Sequence, residues 1–175
     1  MLGEQGMPQL DLSTVTVLLA DPSQHMTTLI ASMLRSIGVT KILAVNSKSG
    51  FAKALATTSF DLLLVLDRAP RWDGLPLVQM LRSKENQLTR DAHAIMMSRE
   101  AMAERVTMAR DAGINAFIRK PFAAKDLQVR IETAFNQPVA FVDGESYAGP
   151  DRRRRADFPG EDRRASPKPS SKPRS

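Results

Sequence analysis

Cysteine is absent from all 175 residues. That excludes a disulfide framework, a thiolate metal site and a cysteine nucleophile. Histidine is scarce: His25 and His93 stand alone, without metal-ligand spacing between them. No apolar run is long enough to cross a bilayer, so membrane insertion is not expected. Residues 1–11 carry Glu4 and Asp11 with no lysine, arginine or apolar stretch, so no signal peptide is expected and the protein is placed in the cytoplasm. The glycine-rich patterns that cradle nucleotide phosphates are missing, as is a serine nucleophile elbow. No enzymatic activity is expected.

What is present is a core. Apolar residues make up 42% of the chain, enough for one domain with a tail. The net charge of +6 is unevenly spread: residues 1–150 hold 16 basic and 15 acidic residues, residues 151–175 hold 9 and 4. Basic character thus belongs to the C-terminal segment, and any argument for nucleic acid or an anionic surface rests there. The expected organisation is an N-terminal extension over 1–13, a folded domain over 14–136, and a disordered Arg/Pro/Ser-rich tail over 137–175, whose composition buries too little to offset chain entropy.

Along the domain, apolar runs alternate with amphipathic stretches. Thr14 to Ala20 is β-branched and aliphatic and stops at Asp21-Pro22, a buried strand followed by a turn. Ser23 is placed to cap a helix striped by Met26, Leu29, Ile30, Met33, Leu34 and Ile37 and ended by Gly38. Lys41 to Val45 is a second strand, and Phe51, Ala52, Leu55 and Ala56 mark a short helix after Ser47 or Ser49. Asp61 to Leu66 is apolar on both faces, as a central parallel strand is. Asp73-Gly74 reads as a turn, Pro76 opens a helix to about Lys84, and Ala92 to Met97 is a fourth strand. A helix closed by Gly113, a strand over Ile114 to Ile118 and a helix striped by Leu127, Ile131 and Phe135 complete the series. Five strands alternating with five helices predict an α/β fold with a doubly wound parallel sheet, right-handed crossovers and helices on both faces. In such sheets ligands bind at the carboxyl edge. Asp21, Ser98 and the pair Lys120-Pro121 all fall there.

These features resemble a response-regulator receiver domain, in particular the stand-alone chemotaxis-regulator type. The resemblance spans roughly residues 14–136. It rests on Leu-Leu-Ala-Asp21, the helix from Met26 to Gly38, Phe60-Asp61-Leu, Pro70 with Asp73-Gly74, Met97-Ser98, and Gly113 followed seven residues later by Lys120-Pro121-Phe122. It implies a flavodoxin-like sheet of order 2-1-3-4-5 in bacterial two-component, phosphorelay signalling. A partner histidine kinase or phosphotransfer protein then donates a phosphoryl group to an aspartate ending the third strand, with Mg²⁺ held by two acids after the first. By that resemblance Asp21 is the first of the paired acids, while Pro22 stands where the second is expected. Ser98 and Lys120 match the hydroxyl and lysine of the pocket, and Phe117 the aromatic switch.

The acceptor position departs from the family. Counting forward from Phe60, and backward from Pro70 and from Asp73-Gly74, places it at Leu66; Asp67 lies one residue late. Side chains alternate faces along a strand, so one step sends Asp67 elsewhere unless a bulge returns it. Mg²⁺ wants an octahedral oxygen shell, and Asp21 with Leu66 is a poor site. The expectation is a degenerate receiver that is not phosphorylated on aspartate and carries no cofactor, Mg²⁺ entering only if Asp67 reaches the pocket. Lys120 is then expected to pair with Asp21. The runner-up is a conventional phosphoacceptor using Asp67 with Asp21 and Mg²⁺.

Other residues carry less. His25 reads as a solvent-facing helical residue, His93 as structural, and Trp72 as a loop aromatic packing on its own domain, beside the alternatives of covering Leu66 or docking a partner. Arg105, Arg110, Arg119 and Lys125 would lie on the outer face by which receivers bind partners, each read as a solvated charge. Arg152, Arg153, Arg154 and Arg155 could bind phosphates. Interleaved acids and few aromatics make the case for nucleic acid weak, and a solubilising or docking tail is the commoner role. The expected partners are a histidine kinase, a phosphotransfer protein or another signalling regulator; oligomeric state is left open.

Overall fold

The computed structural model describes residues 9–136 and 140–151. Five parallel strands form the central sheet: β1 (Thr16–Ala20), β2 (Lys41–Val45), β3 (Leu62–Leu66), β6 (His93–Ser98) and β7 (Ala116–Arg119), in the order β2-β1-β3-β6-β7. With two short hairpin strands, β4 (Arg68–Ala69) and β5 (Trp72–Asp73), counted in chain order, this is the 2-1-3-4-5 arrangement expected from the sequence. The helices are α1 (Gln24–Ser36), α2 (Lys48–Thr57), α3 (Leu75–Arg82), α4 (Ala103–Ala112) and α5 (Ala124–Asn136).

Local chemistry explains the boundaries. The Ser23 hydroxyl accepts from Met26 N at 3.3 Å and caps α1; Ser47 does the same for α2 through Gly50 N at 3.1 Å. Gly113, at φ +107°, ends α4 in the left-handed conformation that glycine adopts without a Cβ penalty. Every residue of β3 is buried, which its unbroken apolar run requires. One face of the sheet packs Leu63, Val65, Met96 and Phe117 against α2, α3 and α4, and the other packs Leu19, Leu64, Ile95 and Ile118 against α1 and α5. Each fully buried Leu or Ile contributes roughly 1.5–3 kcal/mol over leaving it in water. The register pairs Ala20 with Val65, Leu66 with Met97 and Ser98 with Arg119, bringing the chain segments after these strands to one edge.

Three sequence expectations are corrected. Asp73-Gly74 is not a free turn: Asp73 pairs with Arg68 in the β4–β5 hairpin and Gly74 is the right-handed N-cap of α3. Part of the N-terminal extension belongs to the domain, since Leu10 and Leu12 pack on the α1–α5 core and Asp11 caps a 3₁₀ turn over Leu12–Thr14. The disorder expected over 137–175 does not hold for 141–150, where β8 (Phe141–Asp143) and β9 (Ala148–Pro150) form an antiparallel hairpin. It docks where Arg90 meets the Asp143 carboxylate with two hydrogen bonds of 2.8 and 2.6 Å, and where Arg82 and Arg90 lie 5.7 and 5.5 Å from the Phe141 ring centre. Residues 1–8, and the tail arginines Arg152, Arg153, Arg154 and Arg155, lie outside the described residues.

Candidate functional site at the strand ends

Two separate ion-pair clusters occupy the carboxyl edge. The first joins Asp21 and Lys120. Asp21 is 1% exposed. Its Oδ1 accepts from Ser23 N at 2.8 Å and its Oδ2 from Lys120 Nζ at 3.4 Å. Asn46 Nδ2 donates to the Asp21 carbonyl at 2.7 Å and fixes the loop after β1. Lys120 is held by its own backbone, whose N–H donates to Ser98 O at 2.7 Å in extension of the β6–β7 ladder.

The second cluster forms around Asp67. Its N–H donates to Met97 O at 2.8 Å, so the backbone continues the β3–β6 pairing one residue beyond the strand. Its carboxylate is buried and does not open into the loop. Oδ2 accepts from the Ser98 hydroxyl at 2.9 Å and Oδ1 from Arg105 Nε at 2.5 Å. Arg105 Nη2 reaches the Asp73 carboxylate at 2.6 Å. The Ser98 Oγ lies 2.9 Å from both the Asp67 carboxylate and the Glu100 carbonyl oxygen, which compete for its one proton. Burial opposes the charge on Arg105, but hydrogen bonds to Asp73 and Asp67 outweigh it and raise its pKa above the ordinary value. Burial would raise the Asp73 carboxyl, but the hydrogen bonds from Arg105 and from Leu75 N, together with the charges of Arg105 and Arg68, outweigh this and lower it. Among the described residues no hydrogen bond or ion pair joins Asp67 to Asp21 or Lys120.

Leu66, which the sequence count puts at the acceptor position, is 7% exposed and shares a buried cluster with Val65, Leu75 and Trp72. Trp72 Nε1 donates to the Leu66 carbonyl at 2.9 Å, so this aromatic closes over the end of β3 and its own domain. Phe117 is wholly buried under α4. His25 is exposed, while His93 stacks on Phe135 with ring centres 4.2 Å apart. Burial pulls the His93 pKa below its ordinary value.

Sequence reading missed Arg105, which was taken as a solvated charge on the outer face but is 7% exposed and inward. A signal existed: Arg105 lies four residues before Ala109 and next to Val106, on the stripe that α4 buries. Magnesium fits this edge poorly. Asp21 already holds a lysine, Pro22 and Leu66 offer no side-chain oxygen, and Asp67 is taken by a guanidinium. No cluster of three acidic, histidine or cysteine side chains suited to a metal occurs among the described residues.

A doubly wound sheet with an acid, a hydroxyl and a lysine at its strand-end edge is the frame of a receiver. The model of the response regulator receiver domain matches residues 17–132, and the chain belongs to that family, a module of two-component signalling. It is similar to the chemotaxis protein CheY of Pseudomonas aeruginosa, 26% identical over 121 residues that cover 69% of this chain and 96% of the relative. A Vibrio cholerae CheY-3 is 24% identical over the same share of this chain and 92% of its own. Among solved structures, the receiver domain of the sensor histidine kinase PA1611 from Pseudomonas aeruginosa, with a magnesium ion coordinated in its active site cleft, superposes with a TM-score of 0.61 at 23% identity, covering 70% of this chain and 98% of that one. CheY4 of Vibrio cholerae gives 0.62 at 19%, covering 69% and 98%. These likenesses carry the fold. Receiver domains interact with histidine kinases and phosphotransfer or signalling partners. Among the described residues no helix is long and apolar enough to cross a membrane.

Proposed function

We propose that this receiver signals from the cytoplasm by protein–protein association and without aspartyl phosphorylation. Its partner would be a histidine kinase, a phosphotransfer protein or another regulator of the same circuitry. One observation carries the reading: the sole carboxylate at the end of β3, Asp67, is buried in hydrogen bonds from Arg105 and Ser98. A phosphoacceptor needs a free, positioned oxygen and a cation arranged around the incoming phosphoryl group. Here the oxygen is engaged by a guanidinium, and taking one partner out of a buried pair costs about 3–5 kcal/mol. The pocket lysine is occupied with Asp21.

Intact-mass spectrometry after incubation with acetyl phosphate and Mg²⁺ tests the reading. The mass is expected to stay unchanged under conditions that label a competent receiver run alongside. A labile gain of one phosphoryl group that vanishes in Asp67→Asn would overturn it in favour of Asp67 as acceptor.

A further inference from the structure

The apolar stripe of α1 is wider than its packing requires. Ile30 and Leu34 are buried against the sheet, but Leu29 is 42% exposed and Met26 and Met33 are only half-buried. With Phe122 they line a groove of about 510 Å³ between α1 and the connection from β7 to α5. Two cations, Arg99 and Lys120, stand in its wall. Lys120 has Asp21 as its counter-ion at 3.4 Å. Arg99 is exposed and has no ion pair among the described residues.

The groove is therefore polarised. Lys120 and Arg99 follow β7 and β6 at the carboxyl edge, and α1 starts from that same edge. Met26, in the first turn of α1, stands at that same edge. Met33, seven residues on, is roughly 10 Å further along the helix at 1.5 Å per residue. One end offers a guanidinium without a counter-ion; the rest offers thioether and hydrocarbon.

We propose that this groove binds an amphiphilic anion, a single acyl chain ending in a carboxylate, with the carboxylate on Arg99 and the chain along Met26, Leu29 and Met33. The volume lies within the range of small-molecule sites, whose walls are mostly apolar with a few placed polar groups. Methionine adapts to flexible chains, and a planar guanidinium receives a carboxylate through paired hydrogen bonds. The charge favours a carboxylate over a neutral lipid of the same chain by the modest attraction that an exposed guanidinium gives. The site is independent of the Asp67–Arg105 cluster, so it stands or falls apart from the phosphorylation question.

Calorimetric titration of the full chain with octanoate, nonanoate and decanoate, each below its micelle concentration, tests the proposal. Saturable binding at one site is expected, tightening about fourfold for each added methylene, the equivalent of ~0.8 kcal/mol. Decanol should bind several-fold more weakly than decanoate. Arg99→Gln should bring decanoate down to the level of decanol and leave decanol unchanged. Leu29→Asp should abolish both, and circular dichroism checks that its fold is intact. No saturable decanoate binding, equal affinity for decanoate and decanol, or full binding to a folded Leu29→Asp variant would each overturn the proposal. The first of these would favour an acidic helix of a protein partner as the occupant.

Discussion

A single guanidinium sets the state of the strand-end cluster. Arg105 reaches two carboxylates, Asp67 and Asp73, and so ties α4 to the end of β3 and to the β4–β5 hairpin. Both Arg105 and Asp67 are nearly inaccessible, with side chains 8% and 4% exposed, so their attraction is little screened by solvent. Arg105→Met keeps the length and apolar stem but leaves Asp67 as a buried, uncompensated anion. Urea unfolding is expected to show a loss of about 3–5 kcal/mol. Adding Asp67→Asn should recover most of it, because the amide still meets Ser98 and carries no charge, and the double-mutant cycle reports the coupling directly. A loss below about 1 kcal/mol would put the pair in the class of exposed ion pairs and remove the physical basis for a self-neutralised pocket. Counting from fixed landmarks in the sequence sets the expected acceptor position at residue 66 and the acid at 67. The acid's partner is not legible in this way: the buried stripe of α4 marks Arg105 as inward, but 38 residues separate it from Asp67 and nothing local says which acid it meets.

At the scale of elements, sequence was most legible where burial is total or a cap is chemical. β3 announced itself by apolarity on both faces, α1 and α2 by serine caps, and α4 by its closing glycine. The short β4–β5 hairpin was not visible, because each strand has two residues and its stability comes from Trp72 reaching back to the Leu66 carbonyl and Arg105 reaching Asp73. Gly74 shows how tightly this region is built. A Cβ placed there would lie 2.2 Å from the Leu66 carbonyl oxygen, which belongs to backbone and cannot rotate away. Gly74→Ala must therefore push the start of α3 off the end of β3. Overpacking of this kind costs typically 1–3 kcal/mol, and a rigid backbone contact belongs at the upper end, about 3 kcal/mol. Thermal unfolding of Gly74→Ala checks this. A melting point equal to the parent's would mean that α3 can move freely relative to β3.

For the whole molecule, the question is where the domain ends. Residues 141–150 gave no strand signal: Gly144, Gly149 and Pro150 interrupt any alternation, and the segment precedes an arginine-rich, proline-rich tail. What orders the hairpin lies elsewhere in the chain. Arg82 is buried without a carboxylate, its donors spent on the carbonyls of Gly113, Arg90 and Ala92 and on Asn115 Oδ1, and burial pushes its pKa down to about 10. Phe141 covers that guanidinium, Arg90 clamps Asp143, and two glycines let the backbones meet: a Cβ on Gly149 would lie 2.9 Å from the Gly113 Cα. Long-range contacts of this sort leave no periodic trace, so the boundary inferred from composition, at residue 136, falls short of the folded unit. Truncation separates the two boundaries. A chain ending at Asp151 should melt with the full-length protein, because every hairpin contact named here is kept. A chain ending at Asn136 loses the two cation–π contacts, about 0.5–1 kcal/mol at Arg90 and about 2 kcal/mol at the buried Arg82, and should melt roughly 5–10 °C lower. If both truncations melt together, the hairpin rests on the surface without supporting it, and the domain ends with α5.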